Sequence, residues 1–269
     1  MSISLSPAER EIYDSEGLVK PEARLPEDTM APMRDLLAAT LEATTGQPPE
    51  SIVCPYLPGW NNLPEEISAQ WLDIAGTPLF LDYVSAVLGP DIILWGGQLF
   101  CKPARTGLEV PWHQDGQYWP IRPLATCSLW LAIDDVTVAN GCMRYIPGSH
   151  QNSELFPHRD DAREDLVLNQ VTEDAYFDET TAKDDELAAG EFSLHDVFLV
   201  HGSQPNRSGQ RRAGYVLRFM PSASLFNRSA DKQSGSAHFQ TRFATRPIYL
   251  MRGDAGANSD LISRHPRYA

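Results

Sequence analysis

The stretch Thr126-Cys127-Ser128-Leu129-Trp130-Leu131-Ala132-Ile133 alternates between two sets of side chains. Successive side chains of an extended chain point to opposite faces, so every second residue from Cys127 to Ile133 lies on one apolar face. That face predicts packing against a partner layer. The opposite face, which carries Ser128 and Trp130, is therefore predicted to line the interior of a β-barrel or sandwich.

Similar short runs follow one another after Pro90, separated by turn signals such as Asn140-Gly141. The predicted strands are Ile92–Lys102, Thr126–Ile133, Cys142–Ile146, Glu191–Val200 and Arg212–Met220. The predicted helices, all before Pro90, are Pro7–Ser15, Thr29–Thr45 with Thr29 as its cap, Glu65–Ala75 and Thr77–Leu88. This order predicts a mainly β protein with a jelly-roll core and peripheral N-terminal helices.

The 269 residues are predicted to form one domain. We expect a mostly helical part over residues 1–90, the β-core over 91–222 and a C-terminal wrap over 223–269. Within the core, residues 159–191 carry 12 Asp and Glu but 3 Lys and Arg. This acidic segment predicts a long solvated loop, and we hypothesise that it acts as a lid.

Composition and charge exclude several classes of protein. No apolar run approaches the length of a membrane span, and Met1–Arg10 lacks the apolar core of a signal peptide. The net charge of −14 argues against nucleic-acid or membrane partners. The four cysteines form no CxxC pair and predict buried, reduced thiols in the cytoplasm. A homo-oligomer is possible, but the sequence does not indicate the oligomeric state.

The charge is unevenly spread, since residues 201–269 hold 11 Lys and Arg against 3 Asp and Glu. One interpretation is that this basic part neutralises the acidic remainder across one fold. The other is that some of its arginines line a pocket for a small anion.

The motif Trp112-His113-Gln114-Asp115 is a candidate metal site. In an extended segment His113 and Asp115 point to the same side, with Cα atoms about 6.6 Å apart. The best candidate for a third ligand is His201, at the end of the predicted strand Ser193–Val200. Two histidines and one carboxylate are the ligand set of non-haem Fe(II) oxygenases. A hydrogen-bonded structural histidine is the alternative for His113 considered alone.

The segment after His201 adds a candidate anion site. Turn-forming residues between His201 and Arg212 predict that the chain reverses, which brings Arg212 to the start of the next strand, beside the metal site. A guanidinium there can hold a carboxylate through two parallel hydrogen bonds. Ser203 could donate a further one.

Three blocks carry a resemblance to a known family. They are Val110-Pro111-Trp112-His113-Gln114-Asp115-Gly116, the segment from Asn140-Gly141-Cys142-Met143 to Pro147-Gly148-Ser149-His150, and His201-Gly202-Ser203 with Asn206 and Arg212. In their order and spacing, the sequence resembles the phytanoyl-CoA dioxygenase family of Fe(II)/2-oxoglutarate oxygenases from about Ala8 to Met220. The resemblance implies a double-stranded β-helix core.

The same resemblance implies roles for particular residues. Iron would be bound by His113, Asp115 and His201, and 2-oxoglutarate would chelate it, with its 5-carboxylate on Arg212 and Ser203. Two further positions match co-substrate positions of the family, namely Trp130 beside 2-oxoglutarate and Lys102 at the pocket mouth. Some members that halogenate lack the metal-binding carboxylate; this chain keeps Asp115, so hydroxylation is expected.

Candidate substrate residues flank the motif and its neighbouring strands. Gln117, Tyr118, Trp119 and Arg122 are expected to form a rim over the iron, Gln98 and Phe100 to lie on the preceding strand, and Arg218 to share the face of Arg212. Core aromatics are the alternative for Tyr118 and Trp119, and a structural ion pair is the alternative for Arg218. His195 shares the face of His201 and is expected to lie beside the metal rather than bind it.

The predicted function is hydroxylation of an unactivated C–H of a small, anionic organic substrate, using Fe(II), 2-oxoglutarate and O2. Desaturation, epoxidation or oxidative cleavage would use the same ligands. A jelly-roll metal hydrolase or isomerase would not need Arg212, and a non-catalytic binding protein would show no turnover.

Overall fold

The computed structural model describes residues 4–229 and 242–268. Residues 230–241 and Ala269, which belong to the predicted C-terminal wrap, lie outside the described residues, as do residues 1–3. In the described part the helices are α1 (Pro7–Glu16), α2 (Glu27–Ala43), α3 (Glu65–Ala75) and α4 (Pro78–Leu88).

Local capping chemistry explains where the helices begin. Ser6 and Glu9 form a capping box at the start of α1, and Gly17, with a φ of 83°, ends it. Helix α2 begins at Glu27, earlier than the predicted cap at Thr29, because Pro26 holds the extended conformation before it. The predicted cap at Thr29 was therefore wrong.

Sixteen strands are present in the described part of the chain. They are β1 (Leu18–Val19), β2 (Ile52–Val53), β3 (Ile92–Lys102), β4 (Val110–Gln114), β5 (Ile121–Arg122), β6 (Cys127–Ala132), β7 (Met143–Tyr145), β8 (His158–Asp160), β9 (Gln170–Thr172), β10 (Lys183–Asp185), β11 (Phe192–Asp196), β12 (Val200–Ser203), β13 (Arg212–Pro221), β14 (Leu225–Phe226), β15 (Ile248–Arg252) and β16 (Ile262–Arg264).

Two sheets form the jelly roll. The large sheet has the order β1-β11-β6-β13-β3-β15-β16, with β2 also paired to β3, and the small sheet has the order β10-β7-β12-β4. Two-stranded ribbons β14-β5 and β8-β9 lie outside them. The expected fold, a mainly β jelly roll with peripheral helices, is confirmed.

One predicted strand is wrong in a way that matters for the site. The run Glu191–Val200 is two strands, because the chain turns at residues 197–199 and crosses from the large sheet to the small one. His201 therefore lies inside β12, opposite His113 of β4, and not at the end of a strand continuing from Ser193.

The main hydrophobic core lies between the large sheet and the helices. Cys127, Leu129 and Leu131 pack there with helix residues such as Trp71 and Phe80. On the opposite face of the same strand, Trp130 and Ala132 belong to a separate cluster with Val216 of β13. The structure therefore confirms the predicted alternation of β6. Its inward face does not pack in the main core and can line a cavity.

The acidic segment is more ordered than predicted. Residues 159–191 include β9, β10 and most of β8, and Leu166, Val167 and Leu168 are buried. These apolar side chains anchor the segment to the core, so it is not a wholly solvated loop. Its role as a lid stays a prediction.

At the C-terminal end, the described residues extend the large sheet, with β15 pairing β3 and β16 pairing β15. Among the described residues, no single helix is long and apolar enough to cross a membrane. The consecutive helices α3 and α4 meet that requirement jointly, with a bend of 53° between them, and both contribute buried residues to the core.

Candidate metal centre and active site

The side chains of His113, Asp115 and His201 converge at one point between the two sheets. Each is buried and offers one ligand atom, and the three atoms all lie within 4.8 Å of one another. The two histidines are register partners on adjacent strands, with ring centroids 4.2 Å apart. Asp115 begins a short 3₁₀ turn directly after β4, and its Oδ1 lies 3.6 Å from Nε2 of His113.

Backbone hydrogen bonds fix the orientation of both imidazole rings. Nδ1 of His113 lies 2.9 Å from the carbonyl oxygen of Pro111, and Nδ1 of His201 lies 2.9 Å from that of Leu199. A proton on each Nδ1 leaves the Nε2 lone pair free for a metal. Burial, together with the neighbouring His113, holds the pKa of His201 well below its usual value, so this ring is neutral at physiological pH.

Asp115 is held as a carboxylate. Burial alone would raise its pKa, but contacts with His113 and His195 outweigh burial and keep the pKa well below the usual value. Ser128 donates a hydrogen bond of 3.4 Å to Oδ2. Two imidazoles and one carboxylate on one side of a cavity fit a divalent transition metal such as Fe(II) with open coordination positions.

His195 lies beside this centre. Its Nε2 is 3.7 Å from Oδ2 of Asp115, and its ring centroid is 4.9 Å from that of His201. It is not one of the three residues whose ligand atoms converge within 4.8 Å. The structure therefore places His195 against the carboxylate, as expected of a residue beside the metal.

Arg212 lies on the opposite wall of the cavity, with 2% of its surface exposed. Its guanidinium carbon lies 5.4 Å from the ring centroid of Trp130, and it makes no ion pair or side-chain hydrogen bond with the described residues. Burial lowers its pKa to about 10, so it stays charged at neutral pH. A buried cation without a partner fits the carboxylate of a bound molecule.

Ser203 also lines the cavity, but Lys102 does not. Lys102 is fully buried and donates hydrogen bonds of 2.7 Å to Oγ of Ser203 and 2.6 Å to the carbonyl oxygen of Gln204. Its expected place at the pocket mouth is therefore corrected: the side chain supports the end of β12 from behind. Burial and the neighbouring Arg212 hold its pKa well below the usual value.

The cavity encloses about 650 Å³ of space when its opening to solvent is included. Of the expected substrate residues, Phe100, Tyr118, Trp119 and Arg218 line it. Three others do not, and those expectations are corrected in turn. Gln98 is buried and donates to the carbonyl oxygen of Glu50. Gln117 is exposed and bonds Gln170, and Arg122 is exposed and bonds the main chain of its own loop.

Sequence reasoning missed several residues of the cavity wall, namely Val110, Met143, Leu168, Gly202 and Val216. Leu168 comes from the acidic segment, and the short apolar run Leu166-Val167-Leu168 was the signal that could have found it.

The model of the phytanoyl-CoA dioxygenase (PhyH) family matches residues 13–214, three quarters of the chain. The chain belongs to the phytanoyl-CoA dioxygenase family. The resemblance described above is thus confirmed. The match includes all three candidate metal ligands and Arg212, the residue on the opposite wall.

Curated relatives are roughly 30% identical to this chain over the part of each sequence that aligns. The peroxisomal phytanoyl-CoA dioxygenase of Homo sapiens is 32% identical over 143 residues, covering 51% of this chain and 42% of that protein. A probable alpha-ketoglutarate-dependent hypophosphite dioxygenase of Stutzerimonas stutzeri is 30% identical over 141 residues, covering 52% and 49%. The chain spans about half the length of the curated relatives it matches.

Solved structures can be superposed on a larger share of this chain than the curated relatives cover. The non-heme monooxygenase ThoJ superposes with a TM-score of 0.71 at 26% identity, covering 96% of this chain and 88% of that one. EvdO2 from Micromonospora carbonacea var. aurantiaca, solved with 2-oxoglutarate, gives a TM-score of 0.58 at 29% identity, covering 86% and 95%. These likenesses support the jelly-roll fold and the expected cofactors.

Proposed function

We propose that this chain is an Fe(II)- and 2-oxoglutarate-dependent dioxygenase that hydroxylates an unactivated C–H of a small organic substrate. One oxygen atom of O2 would enter the product alcohol and the other would enter succinate, with release of CO2. The observation that carries the proposal is one cavity that holds both a convergent His-Asp-His set and Arg212, which has no ion-pair partner among the described residues. Family membership and relatives named as dioxygenases support it.

Residues at one end of the cavity would bind the metal, and residues at the other end would bind the co-substrate carboxylate. His113, Asp115 and His201 would hold the iron, and Arg212 would hold the far carboxylate of 2-oxoglutarate, with Ser203 and Trp130 beside it. When bound, iron and 2-oxoglutarate activate O2 for attack on the substrate C–H.

The protein contributes orientation and a dry environment. The Nδ1 hydrogen bonds of His113 and His201 fix which ring nitrogen faces the metal. Apolar and aromatic side chains, among them Phe100, Leu168 and Val216, form much of the wall. Such walls exclude water and keep the reactive C–H close to the metal.

Binding spectroscopy tests the proposal without knowledge of the substrate. Anaerobic titration of the protein with Fe(II) and then 2-oxoglutarate should produce a visible metal-to-ligand charge-transfer band. The His201→Ala variant, which lacks one of the two imidazole ligands, should give no band. Absence of the band in the wild type, with metal bound, would contradict the proposal and favour a metal hydrolase.

Product analysis then separates the possible oxidations. Candidate substrates that stimulate succinate release are analysed by mass spectrometry, and gain of one oxygen atom supports hydroxylation. Loss of two hydrogen atoms would indicate desaturation instead. The cytoplasmic location stays a prediction, which cell fractionation would test.

A further inference from the structure

Arg218 is a second buried guanidinium in the same cavity. It lines the cavity wall, with 7% of its surface exposed. Its guanidinium carbon lies 5.3 Å from the ring centroid of Trp119. Among the described residues it has no ion pair within 4.0 Å and no side-chain hydrogen bond, and its Nε is buried without a partner. The structural ion pair considered as its alternative is therefore not found in that part of the chain.

The position of Arg218 differs from that of Arg212. Both point from the same face of β13, six residues apart, so their Cα atoms are separated by about 20 Å along the strand. Arg218 is the register partner of Ser128, whose hydroxyl donates to Asp115. Arg218 thus lies on the metal side of the wall, whereas Arg212 lies at the far end.

The charges of a loaded site leave Arg218 unbalanced. The two positive charges of Fe(II) and the charge of Arg212 balance Asp115 and the dianionic 2-oxoglutarate. Arg218 then remains as a buried cation on the cavity wall. A buried charge is costly unless an anion accompanies it.

We propose that the primary substrate carries a carboxylate or a comparable anion, which Arg218 binds against the face of Trp119. This inference rests on the proposed function and names the substrate class for it. With its anionic end at Arg218, the substrate's apolar part would lie over the metal between Tyr118 and Leu168, both of which line the cavity.

Matched acids and amides test this subsite. The protein is loaded anaerobically with Fe(II) and saturating 2-oxoglutarate, and three pairs are titrated: acetate and acetamide, butyrate and butyramide, phenylacetate and phenylacetamide. The visible band and the thermal unfolding midpoint are recorded. At least one acid should perturb the band and raise the midpoint at concentrations where its amide does neither.

Substitutions of Arg218 test whether this residue causes the preference for acids over amides. Arg218→Gln should weaken binding of the acid roughly ten- to hundredfold, the usual effect of losing a charged hydrogen bond, without changing the dissociation constant of 2-oxoglutarate. Arg218→Lys keeps the charge but loses the planar fork, so it should retain a weaker preference for acids; it serves as the test if Arg218→Gln does not fold. Arg211→Gln, beside the same strand but ion-paired with Asp134, is the matched control.

Two outcomes would overturn the proposal while leaving the proposed function intact. The first is a normal band with no acid preferred over its amide. The second is a loss of 2-oxoglutarate affinity in Arg218→Gln comparable to the loss of acid binding, which would assign the arginine to the co-substrate. Failure of the wild type to form the band would instead reject the proposed function, and this inference with it.

Discussion

At the scale of single residues, two neighbouring arginines have different surroundings because a strand alternates its faces. Arg211 points outward and forms two hydrogen bonds of 2.8 Å with the carboxylate of Asp134. Arg212 points inward, is buried and has no such partner in the described part of the chain. The pair offers a matched test of the co-substrate site.

We expect Arg212→Gln to raise the dissociation constant of 2-oxoglutarate roughly ten- to hundredfold, because a bidentate charged contact is lost. Arg211→Gln should leave it unchanged. Anaerobic titration of the visible band measures both constants. Equal effects of the two substitutions would show that general charge, and not the cavity position, governs binding.

A second residue-scale prediction concerns Asp185 of β10. This carboxyl is buried and accepts a hydrogen bond of 2.7 Å from Oγ of Ser193. Burial raises its pKa to about 6. Because the folded-state pKa exceeds the unfolded value, the folded state binds more protons between about pH 4 and pH 6. Its contribution to stability is therefore greatest at low pH and is lost as the pH rises through this window.

Asp185→Asn should accordingly stabilise the protein more at pH 7.5 than at pH 4.5, by about 2 kcal/mol from the pKa difference. Urea unfolding of wild type and variant at the two pH values measures the change. A difference between the proteins that does not vary with pH would show that Asp185 titrates normally in the fold.

Residue spacing predicted which chain segments meet at the site but not where every side chain points. The HxD spacing placed His113 and Asp115 together, and the turn before Arg212 placed it on the cavity wall. Lys102, by contrast, ends β3 and is drawn behind the wall by the main chain around Ser203. Gln117 ends a 3₁₀ turn and Arg122 ends the two-residue strand β5. Both elements are too short for a periodic pattern to predict the direction of a side chain.

At the scale of elements, the close approach of β13 and β6 depends on Gly214. A Cβ atom at this position would lie 2.3 Å from two atoms of the Trp130 ring, which in turn stacks near Arg212. The indole therefore occupies the space that a side chain on β13 would need. The absence of a side chain at Gly214 is what allows Trp130 to line the cavity beside Arg212.

Gly214→Ala should displace Trp130, destabilise the protein by about 1–3 kcal/mol and weaken 2-oxoglutarate binding. Gly209→Ala is the control, since its Cβ would meet a single atom at 4.0 Å and its stability should change little. Thermal unfolding and titration of the visible band measure the two effects. Unchanged 2-oxoglutarate affinity in Gly214→Ala would exclude Trp130 from the site.

The elements themselves were largely predictable, because hydrophobic alternation and capping residues are local signals. The prediction of Ile92–Lys102 matches β3 residue for residue, and α3 has its predicted bounds. The split of Glu191–Val200 into β11 and β12 was not predictable from alternation, since Val197 and Leu199 at the crossing are apolar and buried like strand residues. Only the packing of two sheets requires the chain to turn there.

At the scale of the whole molecule, the site is shared between the two sheets. His113 and His201 belong to the small sheet, whereas Arg212 and Trp130 belong to the large one. A metal held by the triad alone contacts the small sheet and the turn that follows β4. A 2-oxoglutarate bound to that metal and to Arg212 would connect the sheets across the cavity.

This arrangement predicts that 2-oxoglutarate stabilises the fold only when the metal is present. Under anaerobic conditions, Fe(II) should raise the unfolding midpoint, and 2-oxoglutarate should raise it further. A ligand at about a hundred times its dissociation constant contributes about 2.7 kcal/mol, which corresponds to several degrees for a domain of this size. Arg212→Gln should keep the metal increment and lose most of the second one, whereas His201→Ala should lose both. If 2-oxoglutarate gave the same increment without Fe(II), it would be binding to the large sheet alone, and the two sheets would not be joined through the metal.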